Sequence, residues 1–154
     1  MSVRFLQCVA LTVVLSTASF GGEWTQFRGP GGLGVSDDKG TPVKWSSNEN
    51  IAWKVNLPGP GSSSPIVVGN RVYLTCYSGY GIEPSKGEQK ELVRYLNCFD
   101  RATGMELWSK SFEPKLPEHQ YQGEGSYHGY AASTPVSDGE RLYVFFREIG
   151  CVLF

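Results

Sequence analysis

Several things are scarce in this sequence, and each scarcity removes a class of function. Net charge is nearly absent, with 14 Lys and Arg against 15 Asp and Glu. Because the two signs are interspersed, the chain has no electrostatic footprint for nucleic acid or for an anionic membrane surface. No apolar run approaches the roughly 20 residues of a membrane-spanning helix. Cysteines number only 4, with no two adjacent and no Cys-x-x-Cys pair, and histidines only 2. That leaves little material for a redox dithiol or a thiolate metal site. His119 and His128, with Glu118 and Glu124 nearby, lack the i, i+4 spacing that sets two ligands on one helix face. They read as members of a polar loop.

What is present points to strands and to export. The chain holds 19 Gly and 9 Pro among 4 Trp, 8 Tyr and 8 Phe, and its apolar stretches are short and punctuated. This describes many strands and turns. The first residues carry Arg4, the apolar run from Phe5 to Leu15, and the small residues Ser16, Thr17, Ala18 and Ser19. Charge, short apolar run and small residues in that order predict a secretory signal peptide over residues 1–22. Its removal would leave about 130 residues, enough for one domain with a modest core, destined for the periplasm or the extracellular space. Cys76, Cys98 and Cys151 would survive processing; export permits a disulfide, but the odd count leaves a thiol over and the pairing open.

Residues 23–50 are rich in Gly and Pro and read as a leader loop pinned by Trp24 and Phe27. Gly29 to Gly34 spells Gly-x-Gly-x-x-Gly, but a dinucleotide site requires that motif between a strand and a helix. Ile51 to Leu57 alternates apolar and polar residues and predicts a strand ended by Pro58-Gly59-Pro60-Gly61. Residues 62–112 then predict a four-stranded meander: a hairpin around Gly69-Asn70, a polar insertion from Ser78 to Glu91, and two strands joined by Asp100 to Gly104.

The hairpin returns. Ser63-Ser64-Pro65-Ile66-Val67 and Gly69-Asn70-Arg71-Val72-Tyr73-Leu74 are echoed by Ser133-Thr134-Pro135-Val136-Ser137 and Gly139-Glu140-Arg141-Leu142-Tyr143-Val144, offset by 70 residues. The serines and threonines before each proline therefore mark architecture rather than nucleophiles. Less its insertions, the offset shrinks toward the roughly 40 to 50 residues of a propeller blade. A further partial unit spans residues 133–154.

Cys98, Asp100, Thr103, Gly104 and Trp108 stand in a stretch that resembles the PQQ-like (pyrroloquinoline-quinone-type) β-propeller repeat: a small residue, Asp, Thr-Gly, and Trp four residues after the Gly. Cys98 stands where Ala is commonest. Trp24 to Gly34, with its Trp-x-Gln-Phe-Arg-Gly-Pro leader, and Tyr127 to Pro135 are similar to exported bacterial propellers of the outer-membrane-assembly-lipoprotein-like kind. The resemblance implies an all-β fold of four-stranded antiparallel propeller blades, with 62–112 a complete blade, other blades partial, and the whole an incomplete β-propeller. In such rings the first strand often completes the last blade, and Ile51–Asn56 would fill that place beside residues 133–154. The resemblance further implies that the five motif residues are structural and that the chain is an amino-terminal piece of a longer ring. True quinoproteins clamp their cofactor with a stacking Trp, calcium and adjacent cysteines. This chain lacks the adjacent cysteines, so no cofactor is expected and PQQ would belong only to a full ring. The expected function is an exported, non-catalytic interaction scaffold for a protein or carbohydrate partner, self-associating through unpaired strand edges; the alternative is a fragment of a PQQ-dependent oxidoreductase.

Overall fold

The computed structural model describes residues 21–83, 86–120 and 127–154, so the segment read as a signal peptide lies almost wholly outside the described residues. The described chain is all-β, with antiparallel sheets of four and three strands. They form no closed ring. No helix among the described residues is long and apolar enough to cross a membrane.

The first sheet runs in the order β1 (Ile66–Val68), β2 (Arg71–Ser78), β3 (Val93–Asp100) and β4 (Glu106–Phe112). β1, β2 and β3 are rich in β-branched and aromatic residues, while β4 contributes Trp108 and Phe112. Between β1 and β2, Gly69 adopts φ 57°, the positive value that a two-residue hairpin turn demands. Residues directly opposite one another share a face, so Ile66, Tyr73, Cys98 and Trp108 form one row across all four strands. That face is the inner one.

The second sheet comprises β5 (Val136–Ser137), β6 (Leu142–Phe146) and β7 (Gly150–Leu153). Its hairpin repeats the first in register as well as in sequence: Ile66 pairs with Tyr73, and Val136, 70 residues on, pairs with Tyr143. Leu142, Val144 and Phe146 are buried against Ile66, Tyr73, Leu96 and Cys98 in one core, which Trp108 and Phe112 border. The two repeats also meet where they correspond. The Ser64 N–H donates to Thr134 Oγ1 at 2.9 Å across a sequence separation of 70.

Three expectations need correction. Ile51–Leu57 is not a strand. Trp53, Val55 and Leu57 are half-buried while Lys54 and Asn56 are exposed, so the alternation reflects one-sided packing without ladder partners. It does not complete the second sheet, which stays three-stranded. Trp53 instead donates from Nε1 to the Arg101 carbonyl at 2.9 Å and lays its ring against Gly104. In the leader, Phe27 is no anchor: it is 60% exposed. Trp24 alone serves, exchanging backbone hydrogen bonds with Val67 at 2.9 and 2.8 Å and packing its indole where any side chain at Gly29 would stand.

Candidate functional site

The five motif residues fall into two groups. Asp100, Thr103 and Gly104 build the β3–β4 turn. Asp100 Oδ1 accepts from the N–H groups of Ala102 and Thr103 at 3.1 and 2.9 Å and from the Thr103 hydroxyl at 2.8 Å, while Oδ2 accepts from Asn70 Nδ2 at 2.8 Å. The Thr103 hydroxyl and these N–H donors favour the charged form and hold the Asp100 carboxyl below its usual range. Gly104 sits at φ 72° against the Trp53 ring. Cys98 and Trp108 are cross-strand neighbours on the inner face. Trp108 lies between the sheets, its ring 5.8 Å from that of Tyr73 and 6.3 Å from that of Phe154.

A cleft of about 830 Å³ opens beside Trp108, where the two sheets diverge at their hairpin turns. Its volume is in the range of ligand-binding clefts, roughly 300 to 1,000 Å³. Tyr73, Trp108 and Phe154 supply aromatic surface, and Glu23, Arg71, Asp138, Glu140 and Arg141 supply charge of both signs. Part of that polar lining is engaged. Glu23 accepts from the Gly69 N–H at 2.9 and 3.1 Å, and Asp138 Oδ1 accepts from the N–H groups of Glu140 and Arg141. The leader forms one wall, since the Ser137 N–H donates to the Thr25 carbonyl at 2.8 Å while Trp24 is bonded to β1. Mixed charge around aromatic faces suits a hydroxyl-rich or peptide-like ligand better than a strongly ionic one.

At the other end of the strands lies a buried ion pair. Arg94 donates from Nη1 and Nη2 to the two carboxylate oxygens of Glu118 at 2.9 and 2.6 Å, and from Nε to the Tyr130 carbonyl at 3.1 Å. Its guanidinium lies 5.7 Å from the Tyr130 ring centre and 5.8 Å from that of Phe146. Both side chains of the pair are essentially excluded from water. Burial alone would push the Glu118 carboxyl up, but the Arg94 hydrogen bonds, the Lys115 N–H and the Arg94 charge outweigh it and hold it below the ordinary range. Glu148, in the β6–β7 turn, stands 3.8 Å from the same guanidinium. The network ties the loop after β4 and both sheets together.

Several of the remaining candidate residues have structural partners. Glu118 is engaged by Arg94, Glu124 lies outside the described residues, and no group of three or more His, Cys, Asp or Glu able to hold a metal occurs among the described residues. The Gly29–Gly34 segment contains only the 3-10 turn Pro30–Gly32, with neither strand before it nor helix after it, so the context of a phosphate cradle is missing. Ser63 brackets Thr75, donating to its carbonyl at 3.1 Å and accepting from its N–H at 3.0 Å. Cys76, Cys98 and Cys151 are all free. Cys76 and Cys98 point to opposite faces of one sheet, and burial pushes both thiols up.

Sequence reasoning missed both the cleft and the ion pair. The cleft joins turns from two repeats and the leader residues Glu23 and Thr25, and nothing local signals it. Arg94 could have been noticed as a charge inside the apolar run Leu92–Phe99; its partner could not. Neither a protein-family model nor a curated protein matches the chain.

Proposed function

We propose that this chain is an exported, non-catalytic scaffold of the β-propeller type, in which the two sheets are successive blades and the cleft between them receives a carbohydrate or protein partner outside the cytoplasm. The observation that carries the reading is the 70-residue repeat, whose two hairpins share one register and stack face to face with Trp108 at the seam. Repeats that bury a common core by stacking are the construction principle of propellers and other repeat folds. The amino-terminal charge, apolar run and small residues support export. The aromatic surface and the paired charges of the cleft suit a neutral oligosaccharide, whose ring faces stack on aromatics while its hydroxyls take hydrogen bonds.

The binding test is a titration of the mature protein with neutral oligosaccharides and extended peptides, followed by tryptophan fluorescence. Saturable change with one class, lost in Arg71→Ala, supports the scaffold. Reduction of an acceptor dye by protein supplied with PQQ, calcium and an oxidisable alcohol or sugar as electron donor would replace it with the oxidoreductase reading.

A further inference from the structure

We propose that the signal peptide is cut at the Gly21–Gly22 bond and that the α-ammonium this creates on Gly22 is received by the Asp38 carboxylate, an assignment that rests on the export reading above. Small residues three and one positions before a bond are the pattern a signal peptidase accepts, and they stand so at the bonds after Ala18, Ser19 and Gly21. The residues alone leave the choice among these bonds open. The fold separates them, because a cut after Gly21 frees a nitrogen that already faces a carboxylate: the Gly22 N–H donates to Asp38 Oδ1 at 2.8 Å. Asp38 is itself oriented by its own N–H, which donates to Ser36 Oγ at 3.1 Å. The Gly22 N–H above all, then the Ser36 hydrogen bond and the Arg101 charge, hold the Asp38 carboxyl below its ordinary range against a small desolvation, so it is ionised at neutral pH.

Hydrolysis adds the hydroxyl of water to the Gly21 carbonyl carbon and its proton to the Gly22 nitrogen; at neutral pH the Gly21 acid then loses its proton and the amine gains one. A neutral N–H with one hydrogen to donate becomes a cation with three, and the bond to Asp38 becomes a charge-assisted one. A cut after Ala18 or Ser19 leaves Gly22 a neutral amide and places the new charge upstream of the carboxylate. Arg101, the other charge beside the bond, donates from Nη2 to the Gly21 carbonyl at 2.6 Å and from Nη1 to the Gly69 carbonyl at 3.5 Å. The first of these acceptors leaves with the signal peptide. An exposed ion pair adds little to global stability; its effect is to keep the first residues from fraying, as chain ends do unless tied down. Those residues join the two sheets. Glu23 accepts from the Gly69 N–H, Trp24 exchanges backbone bonds with Val67, and the Thr25 carbonyl accepts from the Ser137 N–H. Glu23 and Thr25 also form part of the cleft wall, so the seated terminus fixes that wall.

The intact mass of protein recovered from the exported fraction tests the cut. The expected first residue is Gly22. Ala18→Val should leave that product unchanged, whereas Gly21→Val, which sets a branched side chain beside the bond, should abolish it. An NMR titration of the Gly22 α-amino group tests the seat. The group should titrate above the roughly 7.7 to 8.0 of an ordinary chain terminus, and Asp38→Asn, at an exposed position, should return it to that range with the circular dichroism spectrum unchanged. Exported protein that begins at Ser19, Phe20 or Glu23, or a wild-type α-amino group that titrates in the ordinary range, overturns the proposal and leaves export standing. Protein that keeps Met1 overturns both.

Discussion

Replacing Glu118 by Ala leaves the Arg94 guanidinium buried with one firm partner, the Tyr130 carbonyl, and a distant Glu148 carboxylate. Removing one member of a buried pair costs about 3 to 5 kcal/mol, since the survivor keeps its desolvation penalty. Against a total stability of about 5 to 15 kcal/mol that is a large fraction. For a domain of this size each kcal/mol moves Tm by about 3 °C, so a loss of about 10 to 15 °C is expected. The double variant Arg94→Met with Glu118→Leu removes both charges and keeps the volume. The Lys115 N–H loses its Glu118 acceptor in both Glu118→Ala and the double variant; the double variant additionally removes the Arg94 donor of the Tyr130 carbonyl, at about 1 to 3 kcal/mol, against about 3 to 5 kcal/mol for an unpaired buried charge, so it should be no less stable than Glu118→Ala. A pH series adds an independent check. The folded carboxyl lies below the ordinary value of 4.5, so its contribution is complete above that pH and is lost as pH falls through the folded value. Thermal unfolding of wild type, both single variants and the double variant between neutral and acid pH measures all of this. Single variants that move Tm by less than about 3 °C, or strictly additive losses, would refute the reasoning.

Trp108→Ala should lower stability by about 3 to 5 kcal/mol in chemical denaturation, because the indole sits between Tyr73 and Phe154 at the sheet junction; an unmoved midpoint would place it outside the core. Gly104→Ala should cost about 1 to 2 kcal/mol from its positive φ alone and more from collision with Trp53, whose fluorescence should shift; a wild-type Tm would contradict the turn geometry. Exported material analysed by mass spectrometry should begin between Ser19 and Glu23; protein still carrying Met1 would remove the signal-peptide reading.

Hairpins, the Asp100–Gly104 turn and the repeat were legible in the residues because each depends on a few neighbours: Gly69 for positive φ, Asp100 and Thr103 for the N–H groups beside them, Val, Ile and Tyr for the pleated surface. Apolar alternation states only that one side of a segment packs. Ile51–Leu57 alternates like a strand, yet whether it joins a ladder depends on an open edge. On β2 the edge beyond β1 is taken by the chain just after it, where the Tyr77 N–H donates to the Pro60 carbonyl at 2.9 Å. Tertiary structure alone decided that Trp53 guards a turn while Phe27 faces water, that Glu118 rather than solvent neutralises Arg94, and that Cys76 and Cys98 point to opposite faces. It also decided that two turns 70 residues apart share a cleft. These outcomes depend on which surfaces two sheets bury against each other, a long-range burial in which every residue of both faces takes part.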